Sequence, residues 1–169
     1  RVMASPQAAH ALAYGNEQGN VDLIDYLVTR INREQGLSLG AENVTITAGS
    51  TNATDMIARL YTRPKDAVIV EAPSYVDSLH VFRDHDVRLY GVPMDEEGMI
   101  ASELESLLKR LVAEGVDVPL LYTIPNFHNP TGITTSEQRR MEIVALARQY
   151  DMLIVEDDVY RDLAFEGAV

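Results

Sequence analysis

Asp157 and Tyr160 stand three residues apart in "EDDVY", where the apolar run "MLIVED" ends. Asn126 and Asn129 are likewise three apart in "IPNFHNPTG" (124–132), just after the apolar run "VPLLYT". Each segment has a plain reading and a chemical one. In the second, Pro fixes φ, Asn makes local hydrogen bonds and Gly permits positive φ, so turn chemistry accounts for the composition. The same stiffness would hold an asparagine amide against a ligand. "EDDVY" reads as a solvated acidic loop, or as a Mg²⁺ site, since clustered carboxylates suit that ion. It also reads as a carboxylate waiting for a cationic ligand, because a buried carboxylate stays charged only with a partner. Two further segments join them. "GSTNAT" sets the Ser50 and Thr51 hydroxyls at a helix start, which suits a phosphate and suits an ordinary N-cap equally well. It is neither GK[ST] nor GxGxxG. "PSY" offers the Tyr75 ring, to stack on a flat ligand or to open a helix in the core.

The elements that must position these groups follow from periodicity. Apolar residues at 21, 24, 27, 28 and 31 predict a helix ending on Gly36. "NVTITA" (43–48) predicts a strand, and "TNATDMIARLY" (51–61) a helix with Ala53, Met56, Ile57, Leu60 and Tyr61 on one face. "AVIVEA" (67–72) is a run of the kind buried on both faces of a sheet. A helix over 75–85 and a strand over 86–92 follow. "SELESLLKRLVAEG" (102–115) predicts a helix opened by a capping box of Ser102 and Glu105 and closed by Gly115. A strand over 118–124, a helix over 136–150 and a strand over 152–157 complete the series. Strict alternation, about five strands with four helices between them, predicts an α/β fold: a mostly parallel sheet with helices on both faces. Ligands of open α/β sheets bind beyond the carboxyl ends of the strands, and all four segments follow predicted strands. Together they offer a phosphate cradle, an aromatic plate, an amide donor, and a carboxylate with a phenol. Pyridoxal 5′-phosphate would use all four, with a carboxylate keeping its ring nitrogen protonated so that the ring acts as an electron sink.

Composition narrows the partners. The 169 residues suffice for one domain, and a chain of that length buries about 70% of its unfolded surface. A net charge of −12 argues against nucleic acid or an anionic membrane as the main partner. No apolar run reaches the roughly 20 residues of a membrane span. The chain has no cysteine, which fits a reducing, cytoplasmic setting. His10, His80 and His85 show no metal-ligand spacing. "MDEEGM" (94–99) reads as a solvated turn and the methionines as scattered core fillers.

In order and spacing the chain resembles the fold-type I, PLP-dependent aminotransferases of class I/II. "YGNEQG" is similar to the family's Tyr-Gly-x-x-x-Gly segment, "ITAGSTNATDMI" to its phosphate loop and "VEAPSY" to its stacking segment. "NPTG" and "DDVY" match its Asn-Pro-x-Gly and Asp-x-x-Tyr motifs. "PNFHNPTG" with "VEDDVYRDLAFEG" most resembles the branch containing 2-aminoadipate and broad-specificity aromatic or branched-chain aminotransferases. The resemblance implies that Asp157 pairs with the pyridinium nitrogen, with Asp158 in its place if the register slips. It implies that Asn129 and Tyr160 bind the phenolate oxygen, Ser50 and Thr51 the phosphate, and that Tyr75 stacks on the ring. The branch often has Gln where Thr51 stands. Tyr14 would reach the phosphate of a neighbouring subunit's cofactor, which implies a homodimer acting on an amino acid and a 2-keto acid. Asn126 and His128 carry no role from the resemblance and read as loop structure.

The family holds its cofactor through a lysine downstream of the Asp-x-x-Tyr strand and the substrate carboxylate through a downstream arginine. Neither segment is among these 169 residues, whose lysines are Lys65, in a loop entering a strand, and Lys109, on an outer helix. With Arg1 at one end and "FEGAV" at the other, the expectation is the central part of the large domain, inactive alone. Three alternatives remain. One is a PLP-sensing domain of a MocR-type transcription regulator, which the intact "HNPTG" disfavours. The others are a different PLP enzyme such as a β-lyase, and a Mg²⁺-dependent phosphotransfer domain using Glu156, Asp157 and Asp158.

Overall fold

A computed structural model describes Ala4 and residues 14–164, which fall into two compact units, 1–49 and 50–169. Part of the N-terminal unit, His10 included, lies outside the described residues. In this unit helix α1 (Val21–Gln35) begins where Asn20 accepts from Leu23 N at 3.0 Å and ends at Gly36, φ 65°. Its predicted stripe buries Ile24 and half-buries Leu27, Val28 and Ile31, while Val21 is exposed.

The strand predicted at 43–48 does not form. A short 3₁₀ turn, Ala41–Asn43, leads into irregular backbone. A strand needs a neighbour to take its backbone groups. Here Gln18 takes two of them: its side-chain amide donates to the Val44 carbonyl, and to that of Ala41 just before the segment, each at 2.7 Å, and its main-chain carbonyl accepts from Ile46 N at 2.8 Å. Gly19, φ 117°, makes this possible, since a Cβ there would meet Ile46 Cβ at 2.5 Å.

The second unit is a five-stranded sheet in the order β3-β2-β1-β4-β5, built from β1 (Ala67–Ala72), β2 (Arg88–Asp95), β3 (Gly98–Met99), β4 (Leu120–Thr123) and β5 (Leu153–Glu156). β1, β2, β4 and β5 are parallel; β3 returns antiparallel against β2. The helices are α2 (Ser50–Tyr61), α3 (Val76–Asp84), α4 (Ala101–Ala113) and α5 (Glu137–Gln149). Two cores result, one on each face. Ile69, Val92 and Leu121 meet Leu104 and Leu108 of α4 and Ile143 and Ala147 of α5. Val68, Val70, Leu120 and Tyr122 meet Ala58 of α2 and Phe82 of α3. The expected mostly parallel sheet with helices on both faces is therefore present.

Four local expectations need correction. "MDEEGM" is the β2–β3 hairpin rather than a solvated turn: Asp95, Glu96 and Glu97 are exposed, but Gly98 and Met99 are buried. The backbone of β3 in turn fixes Ile100, whose N–H donates to Pro93 O at 2.9 Å and whose carbonyl accepts the first helical bonds, so Ile100 caps α4. No capping box forms; Ser102 lies inside the first turn, and Glu105 pairs with Lys109 at 2.6 Å. In α2 the buried stripe is Thr54 and Ala58, with Met56, Leu60 and Tyr61 exposed. Methionine is divided: Met99 and Met152 are buried, Met56 and Met141 exposed. Among the described residues no helix is long and apolar enough to cross a membrane.

Candidate active site

Topology brings the predicted groups to one edge of the second unit. Four parallel strands end at the same edge, so the segments after β1, β4 and β5 converge there. α2 precedes β1 by a link of five residues, 62–66. Its twelve residues span about 18 Å at 1.5 Å each, and six strand residues span about 20 Å at 3.3 Å each. A helix that ends beside the start of β1 therefore has its first turn at the carboxyl edge. Ser50 and Thr51 occupy that turn, both exposed, after Gly49 at φ 102°.

Tyr75 caps the start of α3, half-buried against the core that also packs Val155 and Tyr160. Its hydroxyl donates to Asp77 Oδ2 at 2.6 Å, and that hydrogen bond, with the nearby charges of Asp77, Tyr160 and Asp157, raises its pKa. Ser74, beside it, has a buried hydroxyl oxygen with no partner among the described residues. The Ala72–Pro73 and Asn129–Pro130 bonds are cis.

Asp157 and Asp158 face different surroundings. Tyr122 donates from its phenol to Asp157 Oδ2 at 2.7 Å, with Ser78 Oγ 2.9 Å from the same phenol oxygen. Burial keeps the Tyr122 phenol protonated far above its usual pKa, and Asp157 reinforces this. Asp158 is taken up otherwise. It accepts from Asn126 Nδ2 at 2.6 Å and pairs with Arg161, while Asn126 Oδ1 accepts from Arg140 at 2.6 Å. Asn126 is thus a strut between α5 and the segment after β5, which agrees with its reading as loop structure. Asn129 Nδ2 points at the Tyr160 hydroxyl at 3.5 Å, the long limit of a hydrogen bond. At that distance the bond is a weak one. Tyr14, in the other unit, is fully exposed.

Lys65 and Lys109 are both exposed, and Lys109 is held by Glu105. His85 closes α3 and lies 2.8 Å from Asp55, whose pKa it lowers. The groups missed from sequence are Tyr122, Ser78, Arg140 and a fully buried pair, Glu71 and His128. One signal for the last was legible: a glutamate inside "AVIVEA", a run that both faces of the sheet should bury, must find partners.

The edge thus offers two exposed hydroxyls at a helix start, a half-buried ring, a carboxylate with one oxygen already held, and an amide beside a phenol. An anionic group, a flat ring and a ring cation are matched by that donor set. The parallel sheet with its crossover helices is the α/β architecture of the fold-type I enzymes. The family model described as aminotransferase class I and II matches residues 6–169, and the chain belongs to that family. The aromatic-amino-acid aminotransferase 1 of Thermococcus litoralis is 38% identical over 160 residues, covering 95% of this chain and 38% of that protein. An uncharacterized HTH-type transcriptional regulator of Bacillus subtilis, YisV, is 38% identical over 156 residues, covering 92% of this chain and 31% of that protein. The Pyrococcus horikoshii kynurenine aminotransferase, solved in complex with PMP, superposes with a TM-score of 0.90 at 37% identity, over 98% of this chain and 41% of that one. The chain therefore spans well under half the length of these relatives.

Proposed function

We propose that this chain is the central part of the large domain of a pyridoxal 5′-phosphate-dependent aminotransferase, which moves an amino group between an L-amino acid and a 2-keto acid. The observation that carries the reading is the Asp157 carboxylate, fixed through one oxygen by Tyr122 and set among Tyr75, Tyr160 and Asn129. When bound, the cofactor would supply an electron sink. Asp157 holds the proton on the ring nitrogen. Asn129 and Tyr160 donate to the ring oxygen, each such charge-assisted bond contributing about 1.5–3 kcal/mol. Ser50 and Thr51, at the start of α2, would bind the phosphate, and Tyr75 would cover the ring. Neither Lys65 nor Lys109 approaches this cluster, so the reactive amine is assigned to the longer protein. Tyr14 is read as reaching a second subunit's site, in a cytoplasmic homodimer.

The test is the visible absorption spectrum of the full-length protein with pyridoxal phosphate, before and after glutamate or 2-aminoadipate. Loss of the band with release of keto acid is expected. A band that no amino acid alters, with no keto acid formed, would favour a cofactor-sensing domain, a reading that the similarity to an HTH-type regulator keeps in view. No band at all would overturn the site.

A further inference from the structure

Glu71 and His128 are each 1% exposed and neither belongs to the ligand-facing set. A carboxylate sealed in this way is expensive unless its oxygens are satisfied, and an apolar side chain of similar size would usually pack there at no loss. Glu71 is satisfied from two elements. Oε1 accepts from Thr123 Oγ1 at 2.6 Å, and Oε2 accepts from Ile124 N at 2.9 Å, which ties the end of β1 to the end of β4. His128 Nε2 then lies 3.1 Å from Oε2, at ion-pair distance, and makes no hydrogen bond among the described residues.

His128 is also the hub of its own loop. Nδ1 is 2.8 Å from Thr131 Oγ1, the backbone N–H donates to Ile133 O at 2.8 Å, and the carbonyl accepts from Gly132 N at 2.6 Å. Its main chain and its ring are thus both engaged, and the next residue is Asn129. Rotation of His128 would swing the Asn129 amide off its line to Tyr160, and a shift of about 1 Å is enough to spoil such a contact.

We propose that Glu71 and His128 form a buried positioning pair, which aims the Asn129 amide by anchoring the loop to β1 and β4. The pair touches no ligand itself; it acts through Asn129, and so rests on the role given to Asn129 above.

The test uses the full-length protein and reads the Kd for pyridoxal phosphate and the position of its visible band. His128→Leu should weaken binding about tenfold, as loss of one such hydrogen bond would, and should move the band in the same direction as Asn129→Ala. His128→Gln, long enough to reach Glu71, should stay within about twofold of the wild type. The double variant His128→Leu/Asn129→Ala should bind no more weakly than Asn129→Ala alone, because the two act as one unit. Additive losses, or a His128→Leu protein with wild-type Kd and band, overturn the pair. If His128→Leu does not fold, His128→Asn, too short to reach Glu71, replaces it with the same expectation. A wild type without any band overturns the function, and the pair's role with it; a wild-type band that these variants leave unmoved overturns the pair alone.

Discussion

The two faces of the sheet are built alike and end differently. On the α4/α5 face the column Ile69 and Leu121 gives way, by strand alternation, to Glu71 and Thr123. On the α2/α3 face the column Val68, Val70 and Leu120 gives way to Tyr122, whose ring meets Phe82 edge-to-face with centroids 5.6 Å apart. Both faces place polar atoms at the carboxyl edge. The Glu71 end is sealed, and its polar atoms are spent on one another and on His128. The Tyr122 end opens outward: its phenol holds one oxygen of Asp157, which is only half-buried. One end anchors the loops and the other presents a group to a ligand, so buried polarity at a strand end does not by itself mark a binding group.

That contrast sets an order of effects. Glu71→Ala strands the Thr123 hydroxyl, the Ile124 N–H and the His128 ring in the interior, and should cost about 3–5 kcal/mol in denaturant unfolding of the full-length protein. Tyr122→Phe removes one hydroxyl near a half-open site and should cost about 0.5–1.5 kcal/mol. Equal losses for the two would erase the distinction between a sealed end and an open one. The smallest effect belongs to the hairpin. Arg139 donates to Asp95 and so lowers its pKa, aided by the Glu97 N–H. A depressed carboxylate stabilises the fold above its ordinary pKa and loses that contribution as pH falls through the folded value. Asp95→Asn should therefore lower the melting temperature slightly at pH 7, with the gap to wild type closing as the pH falls through and below the ordinary aspartate range. A gap constant across that range would show that the Asp95 charge contributes nothing.

The sequence was legible where local pattern and tertiary use coincide. The helices starting at Asn20 and Ser136 carry caps that bond as their residue types demand, and the buried run "AVIVEA" is the central strand. Legibility failed where a partner decides. "NVTITA" has strand propensity but its backbone is claimed by Gln18. Ser102 and Glu105 have capping-box spacing, yet β3 sets the cap of α4 two residues earlier, at Ile100. In α2 two overlapping apolar stripes exist, and periodicity cannot say which one meets the sheet. At the site, the motif spacing pointed to Asp157; the structure gives Asp157 to Tyr122 and Asp158 to Arg161. The phenol behind Asp157 lies 35 residues away in sequence and only the fold joins the two.

The strand order β3-β2-β1-β4-β5 has a consequence for how the protein is made. A ribosome delivers the chain from its amino end, so the middle one of these five strands emerges before its neighbours. β2 then adds on one flank, β4 on the other, and β5 outside β4. Among these five strands none has to part a pair made by strands that precede it. The loops that carry Asn129 and Asp157 are delivered onto a template whose centre is already in place.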